Sequence, residues 1–286
     1  MPAVVLSGAD TALGRRVTDR LAANAGAVAV ILDGPAAAVR RALDEASASG
    51  VEHLVYQSSA TVYGAWPDNP VPLSETIALR PNPGAPFAVG HAEGERLVAD
   101  WKAARPGSTA TVLRPTTTVT PGERTRLSPL LAGYAGVAVR GASRPVQAVH
   151  VDDVAAAVSL AVDQRLDGIF NVAPDGWIAD SIARAVAGGP LRLSLPRALV
   201  ERVTRLSPAV LAYTMHPWVV ANDRLRAEGW KPEHSNEEAL VATQAASWRD
   251  FSPRRRQELA LGVTGLTLAG SVAGAIALIR RHSRRT

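Results

Sequence analysis

His53-Leu54-Val55-Tyr56 runs through Gln57 into Ser58-Ser59-Ala60-Thr61-Val62-Tyr63-Gly64. The apolar run reads as a buried strand, and the hydroxyl-rich segment as the loop leaving its carboxyl end. In open α/β folds that end of the sheet is where ligands bind and chemistry is done. A site is therefore expected around Ser58 and Ser59, and the surrounding sequence must supply the sheet that positions it.

Upstream, the apolar run ending at Ser7 is a strand, and Gly8-Ala9-Asp10-Thr11-Ala12-Leu13-Gly14 is a tight turn into a helix. Leu13, Val17 and Leu21 mark its buried face, with Asn24 and Gly26 as stop residues. Residues 27–33 form another strand, and Gly34-Pro35 opens a helix through Val39, Leu43 and Ala46 to Gly50. Downstream, Trp66 to Pro86 holds six prolines, which suits a loop over the site. A helix from Phe87 to Arg105 packs through Leu97, Val98 and Trp101, followed by a strand at Thr109–Leu113 that Arg114-Pro115 ends. Residues 127–135 read as helical and 136–140 as extended. Val146–Val149 is a short strand, Asp152-Asp153 caps the helix through Val154, Val158 and Ala161, and Ile169–Val172 is a further strand. Shorter elements follow: a helix near 177–187, an extended Leu191–Leu195, a helix from Pro196, and a last helix from Ser235 to Trp248. Ser235 with Glu238 three residues on is the pattern of a capping box. Strands alternating with helices predict an α/β fold around a doubly wound parallel sheet.

With 286 residues, 47% of them apolar, the chain can bury one α/β domain and a smaller appendage. The absence of cysteine excludes disulfides, thiolate catalysis and cysteine-zinc sites, and the six histidines show no metal-ligand spacing such as His-Glu-x-x-His, so no metal is expected. The net charge of +5 does not point to nucleic acid, because residues 249–286 carry eight arginines against Asp250 and Glu258, leaving about −1 for the remainder. That tail also contains Leu259 to Ile279, 21 residues without a charge or proline between two arginine clusters. As a helix it would span roughly 30 Å, the thickness of a bilayer core. A single membrane-crossing helix is expected, with Gly270 and Gly274 spaced to let two such helices pair as a homodimer. No secretory signal is read at the amino terminus, so the folded part is expected in the cytoplasm, anchored to the cell membrane.

The segments Ser58–Gly64, Leu113-Arg114-Pro115 and His150-Val151-Asp152-Asp153-Val154-Ala155 together resemble the extended short-chain dehydrogenases, the NAD-dependent epimerase/dehydratase family. The resemblance runs from about Val4 to about Trp230. It implies a Rossmann-like sheet over residues 1–175, a small substrate-side domain over 176–252, and the tail over 253–286. It implies NAD or NADP as cofactor, lying against Gly8, Leu13 and Gly14 with Asp33 and Ser58 as further contacts. In that family Gly8, Thr11 and Gly14 would all be glycine, so Thr11 departs from the pattern. Residues 27–33 match either the second family strand, with Asp33 reading the adenosine ribose, or the fourth, with the second and third strands deleted. Crossover handedness and the position of Asp33 favour the second strand, while the following helix favours the fourth.

The family reaction uses the strand serine, here Ser59, with a tyrosine and a lysine four residues apart at the start of the next helix. The tyrosine exchanges a proton with the substrate oxygen while hydride moves to or from nicotinamide, and the lysine lowers the tyrosine pKa. The matching positions are Phe87 and His91. Phenylalanine has no proton to exchange. Three functions follow: a membrane-associated family member whose classical chemistry is lost or strongly reduced, an active oxidoreductase or epimerase on a nucleotide-sugar-like substrate using Ser59 with His91, or a partner-binding module without nucleotide. The first is favoured.

Overall fold

A computed structural model describes residues 5–21, 28–32, 34, 36–121, 137–186, 193–204 and 207–244. Five strands form one parallel sheet: β1 (Val5–Ser7), β2 (Val28–Leu32), β3 (His53–Gln57), β4 (Thr109–Pro115) and β8 (Gly168–Val172), in that spatial order. Between β4 and β8 in sequence lie three short strands, β5 (Thr117–Val119), β6 (Val137–Val139) and β7 (Ala148–His150). Helices α1 (Ala12–Arg20), α2 (Ala36–Ala48), α3 (Pro86–Ala103) and α4 (Val151–Asp163) cover the large sheet.

β2 shows why both faces are covered. Its five residues are all apolar and all buried, as a central parallel strand requires. Val28, Val30 and Leu32 face Leu13 and Val17 of α1 and Val154 and Val158 of α4. Ala29 and Ile31 face Val39 and Leu43 of α2 and Leu97, Val98 and Trp101 of α3. The alternation of β2 thus assigns α1 and α4 to one face and α2 and α3 to the other.

β2 pairs with β1 on one side and with β3, the strand that carries the serines, on the other. This is the fourth-strand place, and the expectation drawn from handedness is corrected. The connections β2–α2–β3 and β3–α3–β4 step the same way along the sheet over the same face, so they share one hand. The connection β1–α1–β2 also steps that way but crosses the opposite face, so its hand is opposite. If the first two take the usual right hand, the α1 crossover is left-handed. The physical reason lies in the sheet's continuity. Leaving the place between β1 and β3 empty would strand two rows of backbone N–H and C=O groups inside the molecule, a larger penalty than an unfavourable crossover. Asp33 lies outside the described residues.

The remaining described elements are two small sheets and several short helices. β5 pairs with β7, and β6 pairs with β9 (Leu193–Leu195), both parallel. Short helices α5 (Asp180–Val186), α6 (Arg197–Thr204), α7 (Pro208–Met215) and α8 (Asp223–Ala227) follow, then α9 (Asn236–Gln244). The capping box at α9 forms as its sequence predicts: the Ser235 N–H donates to Glu238 Oε2 at 2.8 Å, and the Glu238 N–H to Ser235 Oγ at 3.2 Å. The cap of α4 differs from expectation. His150 is the N-cap, its Nδ1 accepting the Asp152 N–H at 3.3 Å, which places Asp152 and Asp153 inside the first turn. There both carboxylates still favour the positive end of the helix.

Residues Met1–Thr243 form one compact unit and Gln244–Thr286 another, and nearly all of the second lies outside the described residues. The apolar segment 259–279 and the helix expected at 127–135 are among the residues not described. Among the described residues no helix is long and apolar enough to cross a membrane.

Candidate functional site

The carboxyl end of β3 splits two adjacent serines between two tasks. Ser58 continues the ladder, its N–H donating to Leu113 O at 2.8 Å, and its hydroxyl turns inward to Glu95 Oε1 at 2.6 Å. Glu95 in turn holds Arg114 through two parallel bonds, Nε to Oε1 at 2.9 Å and Nη2 to Oε2 at 2.6 Å. Arg114 Nη1 donates to Tyr63 Oη at 2.8 Å, and the Tyr63 hydroxyl donates to Asn171 Oδ1 at 2.8 Å. All five side chains are buried. This chain joins β3, the following 3₁₀ turn (Ala60–Tyr63), α3, β4 and β8 through one continuous polar path.

Buried charge is tolerated here because every group has its partner. Burial alone would weaken the charge on Arg114, but the Glu95 bonds outweigh it and its pKa is raised. Burial pushes the Tyr63 hydroxyl up as well, with Arg114 opposing. Tyr63 therefore stays a neutral donor. Ser58, expected among the cofactor contacts, has its hydroxyl committed to Glu95 and is fully buried, so only its backbone remains for that role.

Ser59 faces the other way. Its Oγ accepts the Thr61 N–H at 3.3 Å and the Thr61 hydroxyl at 3.0 Å, capping the 3₁₀ turn. Both bonds use the oxygen as acceptor, so the Ser59 proton is left for donation. Phe87 sits in the first turn of α3, next to Pro86, and its ring packs against Tyr213 with centroids 5.3 Å apart. Tyr213 donates its hydroxyl to Thr61 O at 2.8 Å, so the Phe87 ring joins the apolar packing around the serine turn. One helical turn on, His91 Nδ1 lies 3.3 Å from Tyr56 Oη on β3. Gly94 makes that approach possible, because a Cβ there would collide with the Tyr56 hydroxyl.

Thr11 also does something the sequence did not disclose. Its hydroxyl donates to Gly8 O at 2.7 Å while its Oγ1 accepts the Gly14 N–H at 2.9 Å, so it caps α1 and ties the turn together. Gly8 has φ +81°, and a Cβ on Gly14 would run into the backbone of Gly8 and Ala9. The N–H groups of Ala12 and Leu13 have no acceptor among the described residues. A glycine-tight turn with open N–H groups at a helix amino terminus fits a dinucleotide pyrophosphate. Leu13 contributes only backbone, since its side chain lies in the core.

A second polar cluster lies where α4 begins. His150 and His234 stack with ring centroids 4.0 Å apart, His234 Nδ1 is 3.1 Å from Asp153 Oδ2, and Asp152 pairs with Arg16 of α1 at 2.6 Å. Asp153 also accepts the N–H groups of Glu233 and His234, at 2.9 and 3.2 Å. Burial and the neighbouring His234 lower the His150 pKa. Sequence reading missed both this cluster and the inner network. For the network a signal existed: Phe87, His91 and Glu95 recur every four residues on one helix face, and an arginine inside an apolar strand needs a carboxylate. For the cluster there was none, since 84 residues separate the two histidines.

Comparison with known proteins agrees with this geometry. The model of the NAD dependent epimerase/dehydratase family matches residues 20–173. Uncharacterized protein Mb0513 of Mycobacterium bovis is 30% identical over 208 residues, 68% of this chain and 54% of that protein. Uncharacterized protein y4nG of Sinorhizobium fredii is 25% identical over 220 residues, 70% of this chain and 54% of that protein. The chain thus spans about half the length of these curated relatives. Among solved structures, a UDP-glucose 4-epimerase of Thermus thermophilus in complex with NAD superposes with TM-score 0.63 at 19% identity, covering 87% of this chain and 99% of that one. RMD of Pseudomonas aeruginosa complexed with NADPH gives TM-score 0.62 at 18% identity, covering 85% and 97%. With a family model matched over more than half its length, the chain belongs to the NAD-dependent epimerase/dehydratase family.

Proposed function

We propose that this protein binds NAD or NADP in the family manner but has lost, or strongly reduced, the tyrosine and lysine chemistry. The observation that carries the reading is what occupies the two reaction positions: Phe87 packs its ring on Tyr213, and His91 is held by Tyr56. The cofactor pyrophosphate would lie on the N–H groups of Ala12 and Leu13, within the turn that Gly8, Thr11 and Gly14 shape. When bound, the nicotinamide can accept or supply hydride. Ser59 can donate a hydrogen bond to a substrate oxygen, but no group at position 87 can move a proton to it. Losing a positioned acid or base removes about 10² to 10⁴ in rate. Residues 176–252 are read as the substrate-side lobe, and a nucleotide sugar, as named for the Thermus epimerase's reaction, is the substrate class to try first.

The test is titration with NAD(H) and NADP(H), followed by a hydride-transfer assay on nucleotide sugars and simple carbonyl compounds. Binding without turnover supports the reading; rapid turnover lost in His91→Ala supports an active enzyme using Ser59 with His91 instead, and no binding supports a partner-binding module. Membrane anchoring through residues 259–279 belongs to the same proposal, supported by 21 uncharged residues between arginine clusters. Full-length protein that stays in the supernatant after ultracentrifugation without detergent, as a chain ending at Ser252 should, would exclude the anchor.

A further inference from the structure

The cluster at the start of α4 brings together donor atoms from parts of the chain far apart in sequence. His150, Asp152 and His234 each offer one ligand atom, and these atoms all lie within 4.8 Å of one another. His150 Nδ1 is 3.2 Å from Asp152 Oδ2. That is near the edge length between two ligands of one ion bound at about 2.0–2.1 Å, and binding the ion would take the Nδ1 lone pair from the Asp152 N–H that it accepts in the helix cap. Arg16 engages the other oxygen, Oδ1, so Oδ2 is the one turned to the cluster.

His234 carries the support that metal-binding histidines usually have. Its Nδ1 faces the carboxylate of Asp153, which is 1% exposed and fixed by two backbone N–H groups. A carboxylate there accepts a hydrogen bond from Nδ1–H and leaves the lone pair on Nε2, the tautomer a ligand needs. The rings are stacked at 26° and not splayed. Bringing Nε2 onto an ion held by His150 and Asp152 takes a swing of the His234 ring, whose side chain is 30% exposed and on a loop. Charge permits it: two carboxylates, Asp152 and Asp153, stand against one guanidinium, Arg16.

We propose that His150, Asp152 and His234 bind one late first-row divalent cation, of which Zn²⁺ is the representative, and that the ion clips the loop before α9 onto the start of α4. Two imidazoles and one carboxylate select such an ion over Mg²⁺ or Ca²⁺, which take oxygen ligands. Three protein ligands leave a fourth position for water. This site stands apart from the reading of the cofactor turn, so it survives or fails independently of nucleotide binding.

The experiment uses the full chain, stripped with chelator, titrated calorimetrically with ZnCl₂ and separately with MgCl₂, with thermal melts in parallel and Co²⁺ absorption as a report of coordination. One Zn²⁺ per chain, a raised melting temperature and no effect of Mg²⁺ are expected. His234→Ala removes only a partly exposed side chain and should fold; Zn²⁺ affinity should fall by more than about tenfold in it. Asp152→Asn should fall in the same direction. No stoichiometric Zn²⁺, or Zn²⁺ binding unchanged in His234→Ala, overturns the proposal.

Discussion

Two layers of the same site have been treated differently. Beneath it, Ser58, Glu95, Arg114, Tyr63 and Asn171 form a buried path in which both carboxylate oxygens and three guanidinium nitrogens are used. Above it, at the positions that would face substrate, a phenylalanine and a histidine have been taken into packing and a hydrogen bond. Folding imposes the lower layer, since a single unpartnered member leaves a charge stranded in the interior. No such penalty guards the upper layer. A tyrosine can become a phenylalanine there and the ring still packs, so the fold would survive the loss of the chemistry proposed above.

The strongest way to break this contrast is Glu95→Ala. It strips the buried Arg114 of its carboxylate and should cost about 3–5 kcal/mol in denaturant unfolding. The pair Glu95→Leu with Arg114→Met should cost much less than the sum of the single changes, because no charge is left behind. A Glu95→Ala cost below about 1 kcal/mol would mean that water reaches Arg114 and the lower layer is not sealed.

Next in size is Gly94→Ala, whose added methyl meets the Tyr56 hydroxyl. Forcing α3 away from β3 should cost about 1–3 kcal/mol and break the Tyr56 to His91 bond. A change of the His91 ring resonances by NMR in this variant would sharpen the assignment of that bond; unchanged resonances would mean that His91 is placed by other neighbours.

How much of this was legible follows from how local each cause is. The strand and helix sequence was readable because parallel strands announce themselves as apolar runs, as β2 does in all five residues, and because caps such as Ser235 with Glu238 are set by neighbours three residues apart. The place of β2 was not readable. It depends on which strand lacks a partner, a property of the assembled sheet, and the handedness rule gave the opposite answer. That Phe87 and His91 share one face of α3 was readable from their spacing, whereas the hydrogen bonds of Thr11 and Ser58 were not. Their hydroxyls point to partners fixed by the turn and by Glu95: Thr11, which departs from the family's glycine, caps the helix that follows it.

A smaller effect concerns His53, buried between Thr109 Oγ1 at 2.7 Å and Ala161 O at 3.0 Å. Burial lowers its pKa below the usual 6.5. The folded state therefore resists a proton that the unfolded chain accepts. Above pH 6.5 this costs nothing, and stability is lost as pH falls from 6.5 toward the folded value, by at most about 1.4 kcal/mol for each pH unit crossed. Unfolding curves at about pH 7.5 and about pH 5.5, on either side of the ordinary histidine value, should show the loss, and His53→Gln should reduce it. Equal stability at both values would contradict the assignment.

Smallest of all should be the effect of the upper layer on stability. Phe87→Tyr and His91→Lys, singly or together, should change unfolding free energy by less than about 1 kcal/mol, which leaves the double variant as a fair probe of chemistry.

That variant supplies the most direct test of the central claim, that scaffold and cofactor turn persist while proton transfer has gone. Native protein and Phe87→Tyr/His91→Lys are each mixed with NAD(P)H and a panel of nucleotide sugars and carbonyl compounds, and nicotinamide absorbance is followed. The account predicts cofactor binding by both and measurable hydride transfer by the double variant alone. Robust turnover by the native protein, equal to or above that of the variant, would contradict it.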